Sequence, residues 1–308
     1  MGDTEGNLAH AHRPRRALLF VNPGARRGGE ALDAATDRLA AAGIEIDIEK
    51  SGSAEEIEQR LRAHPDIDVA VICGGDGSLC RAAAGLVATG TPLGILPMGT
   101  ANDLARTLGI PDDLEAAAAV IADGHRRRID VGSVNDHFFF NVASIGLSVD
   151  LAHSLDAGLK RRWGRLGYAI AAMRALLRAR RFSAWITEEG RTWRTRTMQI
   201  AVGNGRFYGG GTVVASHAEI DDGHLDLYSL EFHTVWQLAL MLRSFRSGEH
   251  GAWSEVATAR GTEFEIRTRR PRSVNADGEI VAETPAVFRV HPGAITVYAP
   301  LDVEGAEG

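Results

Sequence analysis

Lysine is almost missing from this chain: of 34 basic side chains only Lys50 and Lys160 are lysines, and the rest are arginines. No glycine loop here can therefore close on the lysine of a Walker A motif. Cysteine is as scarce. Cys73 and Cys80 are the two present, both beside one glycine turn. No second Cys or His pair completes a zinc site there, and a reducing, cytoplasmic compartment is expected. No stretch reaches the roughly 18 uninterrupted apolar residues of a spanning helix. The first sixteen residues, MGDTEGNLAHAHRPRR, carry Arg and His but no apolar h-region, so nothing is expected to target or insert the chain. Excess positive charge is absent too. A formal net charge of -6 excludes a global positive field for holding nucleic acid, and no nucleic-acid partner is expected.

What is present suits a soluble globular protein of about two domains: 308 residues, 44% of them hydrophobic. From Ala17 a rhythm repeats. ALLFVNPG is an apolar run ending in turn residues, and GGEALDAATDRLAAAG follows with helical spacing and a closing glycine. IEIDIEKSGSAEEIEQRLRAH is a second unit, in which Ser53 is placed to cap and Glu56 stands three residues on, as in a capping box. DVAVICGG into SLCRAAAGLVATG, and PLGILPMG into TANDLARTLGI, are the third and fourth. Strands alternating with helices at this spacing predict an α/β fold with a parallel sheet covered on both faces.

From Ile129 the rhythm changes. FFFNVASIGLSV, RFSAWITEEGRTWRTRTMQIAVGNG, LDLYSL and EFEIRT predict an antiparallel β-rich domain, and AVFRVHPGAITVYAP predicts buried strands at the end. One segment departs from the β pattern. In GLKRRWGRLGYAIAAMRALLRARRF, Leu166, Ile170, Met173 and Leu177 share a helical face among Arg165, Arg174, Arg178, Arg180 and Arg181. Two readings stand: a surface helix with a solvated arginine face, or a helix that meets an anionic membrane.

Parallel strands end on one edge, so the loops NPGARRGG, KSGS, GGDGS and PMGTAND converge there. Gly74, Gly75 and Gly77 let backbone N–H groups approach a phosphate, and the following helix adds its positive dipole end. Asp76 among those glycines would repel an anion unless it held magnesium or accepted a hydrogen bond from a sugar or hydroxyl, which points to magnesium nucleotide chemistry. The plain alternative is an Asx-type turn. GNGRFYGGG mimics a dinucleotide fingerprint but lacks its spacing, and no G-x-S-x-G elbow is present for an esterase.

NPGARRGG, GGDGS, PLGILPMGTANDLAR, NGRFYGGG, AEIDDGHLDL and NADGE occur in an order that resembles the diacylglycerol kinase catalytic-domain family, in its bacterial soluble lipid kinase branch. The resemblance covers nearly everything from Arg16 to Pro300. It implies a flexible tail over 1–15, an NAD-kinase/phosphofructokinase-like doubly wound domain over 16–130, a β-sandwich-like lipid-substrate domain over 131–284, and final strands over 285–308 returning to the first domain. It also implies an ATP-dependent lipid kinase using Mg2+, acting on diacylglycerol, phosphatidylglycerol or a sphingoid base at the inner membrane face, which the arginine-rich segment 159–181 would contact. A homodimer is kept open.

By the same resemblance ATP would contact Asn22, Pro23, Gly24, Ala25, Arg26, Ser51, Gly74, Gly75, Asp76, Gly77, Ser78, Leu79, Cys80 and Thr100. Asp222, with the carbonyls of Glu219 and His224, resembles a magnesium site, and an ordinary hairpin turn is the alternative. NADGE resembles the catalytic turn. Transfer to an alcohol needs a carboxylate near the acceptor hydroxyl. Glu279 is the expected proton acceptor, with Asp277 close behind and a candidate to order magnesium; Asp76 completes the catalytic set. In a regular extended segment Asp277 and Glu279 point to the same side. Ala101 in GTAND, Ser216 where the family commonly has proline, and Ser78 and Ser51 for threonine depart from the family pattern without removing a chemical group. Rival expectations are an NAD kinase-like small-molecule kinase and a catalytically silent nucleotide-binding regulator.

Overall fold

The first apolar run forms β1 (Arg16–Val21) and α1 (Gly29–Ala41) follows it. The units continue as β2 (Glu45–Lys50), α2 (Ala54–Ala63), β3 (Val69–Gly74), α3 (Asp76–Thr89), β4 (Leu93–Pro97), a short α4 (Asp103–Thr107) and α5 (Leu114–Asp123). This is a computed structural model, and it describes residues 13–21, 29–50, 52–147, 180–204, 207–208, 212–213, 219–231 and 256–301. Asn22 to Arg26, Ser51, residues 1–12 of the expected tail and residues 159–179 of the arginine-rich segment lie outside the described residues.

The parallel order β2-β1-β3-β4 has a physical consequence. The chain leaves β1 in one direction to form β2 and then crosses back to β3, so right-handed crossovers put the intervening helices on opposite faces. Accordingly α1 packs with α5, and α2 with α3. Strands β3 and β4 are buried throughout, as strands covered on both faces must be. Edge strand β2 is largely open: Glu45, Asp47 and Glu49 charge it, and Ile48 is 64% exposed. The Ser53 capping box of α2 is present, with Glu56 N–H on Ser53 Oγ and Ser53 N–H on Glu56 Oε2.

The β-rich half comprises β5 (Arg126–Val134), β6 (His137–Phe139), β7 (Val142–Gly146), β8 (Phe182–Glu188), β9 (Arg191–Thr197), β10 (Gln199–Gly203), β11 (Phe207–Tyr208), β12 (Thr212–Val213) and β13 (Leu225–Leu230). It closes with β14 (Val256–Gly261), β15 (Glu263–Thr268), β16 (Ser273–Ala276), β17 (Glu279–Glu283) and β18 (Ala286–Tyr298). Six of these form a second sheet in the order β14-β13-β10-β7-β16-β17. Its inner face supplies Ile145, Ile200, Leu225 and Val274 to a core whose other side is Phe182, Ile186, Phe264, Ile266 and Phe288. Two inner faces meeting across one apolar layer make a sandwich.

The tail AVFRVHPGAITVYAP is one strand of 13 residues rather than several. Its start pairs with β15, its length with β5, and Val297 lies opposite Leu93 of β4 in parallel. One strand thus runs from the sandwich into the parallel sheet, and both halves share a ten-stranded sheet. FFFNVASIGLSV breaks between β6 and β7 at Phe140 and Asn141, and the break has a cause in the site.

Candidate active site

The reversal of strand order falls between β1 and β3, and a ligand crevice is expected outside the carboxyl ends of those strands. The turn after β3 lies there. Gly75 is the N-cap of α3 and supplies no side-chain cap. A Cβ on Gly75 would stand 2.8 Å from Gly99 Cα, and one on Gly99 would stand 2.6 Å from Gly75 Cα. The GGDGS and PMGTAND turns therefore touch backbone to backbone, which only glycine at both positions permits.

Asp76 opens α3 rather than lying loose in the turn. Its Oδ1 accepts the N–H of Leu104 at 3.2 Å, so the carboxylate ties the start of α3 to the start of α4. Asn102, buried at φ 51°, accepts the Gly99 N–H and donates to Asp112. Thr100 is exposed in that turn. Ser78 is buried beneath the first turn of α3, and the Leu79 side chain lies in the core. Leu79 can meet a ligand through its backbone alone.

The NADGE hairpin comes to this turn from the sandwich. Asp277 and Gly278 have φ values of 44° and 98°, the two positive values of a type I′ turn, and Ala276 pairs with Glu279. The expectation that Asp277 and Glu279 point the same way is corrected by that turn: the chain reverses between them instead of extending. Asp277 accepts N–H groups from Phe140 at 2.7 Å, Asn141 at 3.1 Å and Val142 at 2.9 Å, and the Cys80 thiol at 3.0 Å. Those bonds account for the break between β6 and β7. Burial pushes the Asp277 carboxyl above its ordinary value, and the Cys80 thiol and the three amides act in the opposite direction. Burial, then Asp277 itself, push the Cys80 thiol well above its ordinary range, which keeps it protonated as the donor.

Glu279 is left outward, its side chain 54% exposed. Its Oε1 stands 3.5 Å from where a Cβ on Gly77 would be and 3.5 Å from Arg81 Nη1. Arg81 Nη2 also donates to Ser78 Oγ at 3.2 Å. Asp277 and Glu279 are thus brought to the first two turns of α3, where Asp76 and Gly77 stand. Arg81 escaped the sequence reading, although its i+3 spacing from Ser78 is the signal that could have found it.

The third acidic turn has partners of its own. Asp222 accepts N–H groups from Glu219 at 3.3 Å and His224 at 2.9 Å, and Arg260 Nη2 stands 2.7 Å from its Oδ2. His224 Nδ1 is 2.7 Å from the Asp222 carbonyl oxygen. The Arg260 guanidinium thus stands beside the carboxylate expected to hold magnesium with the carbonyls of Glu219 and His224. Among the described residues no group of three His, Cys, Asp or Glu side chains is placed to hold a metal. The turn is fastened to the first half of the chain. Asp221 pairs with Arg127 at 2.9 Å, Ile220 enters the first core, and Asp130 accepts the N–H groups of Gly223 and Gly293 at 2.6 Å each.

Comparison with known proteins defines the class first. Residues 16–134 match the diacylglycerol kinase catalytic domain, and residues 141–299 match the YegS C-terminal NAD kinase beta sandwich-like domain. The chain belongs to the family that carries these two domains, a diacylglycerol kinase catalytic domain followed by a YegS C-terminal NAD kinase beta sandwich-like domain. A protein of Stenotrophomonas maltophilia named "Probable lipid kinase YegS-like" is 35% identical over 149 residues, 47% of each chain. Its namesake in Xanthomonas campestris pv. campestris is 34% identical over 150 residues, 48% of each chain. The chain spans about half the length of these curated relatives. A crystal structure of a diacylglycerol kinase from Bacillus anthracis str. Sterne is 26% identical with TM-score 0.78, covering 94% of this chain and 98% of that one. Among the described residues no helix is long and apolar enough to cross a membrane.

Proposed function

We propose that this protein is an ATP-dependent lipid kinase that transfers the γ-phosphoryl group of magnesium ATP to a hydroxyl of a lipid: diacylglycerol, phosphatidylglycerol or a sphingoid base. One observation carries the reading. A carboxylate from the sandwich, Glu279, stands over the glycine turn at the start of α3, 3.5 Å from the position of a Gly77 Cβ. The start of a 14-residue helix with a glycine N-cap suits a phosphate chain.

Phosphoryl transfer asks little covalent chemistry of a protein and much positioning. The acceptor hydroxyl oxygen forms a bond to the γ-phosphorus, the bond from that phosphorus to the bridging oxygen of ADP breaks, and the hydroxyl proton passes to Glu279. Asp277 does not compete for that proton, because its oxygens are filled by three amides and a thiol. It acts as a positioning residue that seats the hairpin. Asp76 holds α3 and α4 together at the nucleotide edge. Magnesium enters as part of the nucleotide substrate. The arginine-rich segment 159–181 suits contact with an anionic membrane on the cytoplasmic side, which its composition supports.

The test is thin-layer separation of products after incubating the protein with labelled ATP, magnesium and fractionated lipids, with NAD offered in parallel. Label in a lipid fraction is the expected outcome. Label in NADP with none in lipid would replace the reading by a small-molecule kinase, and label in neither would leave a nucleotide-binding regulator.

A further inference from the structure

Arg81 sits where helix stability alone would not put it. Helical side chains lean toward the N-terminus of their helix, so its guanidinium returns over the first turn of α3. There it reaches Ser78 Oγ at 3.2 Å and Glu279 Oε1 at 3.5 Å. A cation near the positive end of a helix dipole is disfavoured. The last turn of α3, where a cation would be favoured, has no basic residue. The pair with Glu279 does not explain the placement either: the two side chains are 32% and 54% exposed, and so open a pair adds little to stability. What the position does offer is a forked cation beside a buried hydroxyl and a glycine turn, GGDGS, that holds no lysine of its own.

We propose that Arg81 senses the terminal phosphate of the bound nucleotide. Glu279 holds the guanidinium over the glycine turn until that phosphate takes it, which leaves Glu279 free to accept the hydroxyl proton. A guanidinium binds phosphate oxygens through two parallel N–H donors, which a lysine cannot reproduce. This inference rests on the kinase reading and adds to it the residue that selects ATP over ADP.

The experiment is calorimetric titration of the full chain, wild type, Arg81→Gln and Arg81→Lys, with magnesium ATP and with magnesium ADP. Arg81→Gln is expected to lose about 10- to 100-fold in ATP affinity, the worth of one charged hydrogen bond, and about twofold or less in ADP affinity. Arg81→Lys is expected to fall between, keeping the charge without the fork. Equal losses for both nucleotides would make Arg81 a structural strap and overturn the proposal, and so would an unchanged preference in Arg81→Gln. Either result leaves the kinase reading standing, whereas a wild type that binds neither nucleotide overturns both. The Arg81 side chain is 32% exposed and its pair with Glu279 adds little to stability, so the variants are expected to keep a melting midpoint close to that of the wild type.

Discussion

Two acidic turns of this chain look alike in sequence and do different work. At Asp221–Asp222–Gly223 each acid is spent on a neighbour: Asp221 on Arg127, Asp222 on Arg260 and on two amides of its own turn. At Asp277–Gly278–Glu279 the first acid is spent on three amides at the break between β6 and β7 and on a thiol, but the second faces a glycine turn and makes an open contact with Arg81 at 3.5 Å. A carboxylate whose lone pairs are filled by fixed donors shapes the chain around it. In the proposed reading, one that keeps an open side toward the nucleotide is available for proton transfer. The residue type is the same, and the number of donors already in place separates the roles.

That contrast can be broken at either turn. The largest effect is expected from Glu279→Gln, which keeps shape and removes the base: turnover should fall about 10²- to 10⁴-fold, as for loss of a general base. Full turnover in that variant would show the proton goes elsewhere. Asp277→Ala should instead act on stability. It leaves the N–H groups of Phe140, Asn141 and Val142 without their acceptor, at about 3 kcal/mol, read as a fall of the melting midpoint by about 5–10 °C. A midpoint within about 1 °C of wild type would mean the hairpin is seated by something other than Asp277.

Arg260→Ala tests the other turn and should cost about 1 kcal/mol, because that guanidinium is half exposed and screened. Chelation of divalent ions should leave the wild-type midpoint where it was. A drop on adding EDTA would place a structural cation at Asp222 after all. The smallest effect is expected beside this turn, at His291, whose neighbour Pro292 lies against Gly223. Burial, then the charge of Arg289, hold the His291 ring below its ordinary value, and its Nε2 meets Ser133 Oγ at 2.9 Å. Between the lowered folded value and the ordinary one near about 6.5, the unfolded chain binds the extra proton. Stability therefore rises with pH through that window and is lost as pH falls through it. His291→Gln should flatten that part of the pH–stability curve, and denaturant midpoints at pH 7.5 and 5.5 would show an unchanged slope if the ring plays no part.

Much of the fold was legible because it is written in local periods. Continuous apolar runs at β1, β3 and β4, the capping box at Ser53 and the closing glycines at Gly90 and Gly124 each act within a few residues. The glycine turns and both acidic turns were legible for the same reason. Less was legible where partners are distant. Phe140 and Asp277 are 137 residues apart, and Cys80 and Asp277 are 197 apart. No spacing rule links them, so the filled state of Asp277 and the placement of Arg81 opposite Glu279 could not be read along the chain.

By itself, then, the sequence determined the alternation of strand and helix, the glycines that let the turns after β3 and β4 touch, and the two acids of the hairpin tip. Tertiary structure alone decided that one long strand, β18, joins both halves, that Asp222 faces a guanidinium, and that Glu279 rather than Asp277 keeps an open side. The physical reason is range: periodicity and caps operate over one or two turns of chain, whereas the donors that fill or spare a carboxylate come from whatever strand the fold lays beside it.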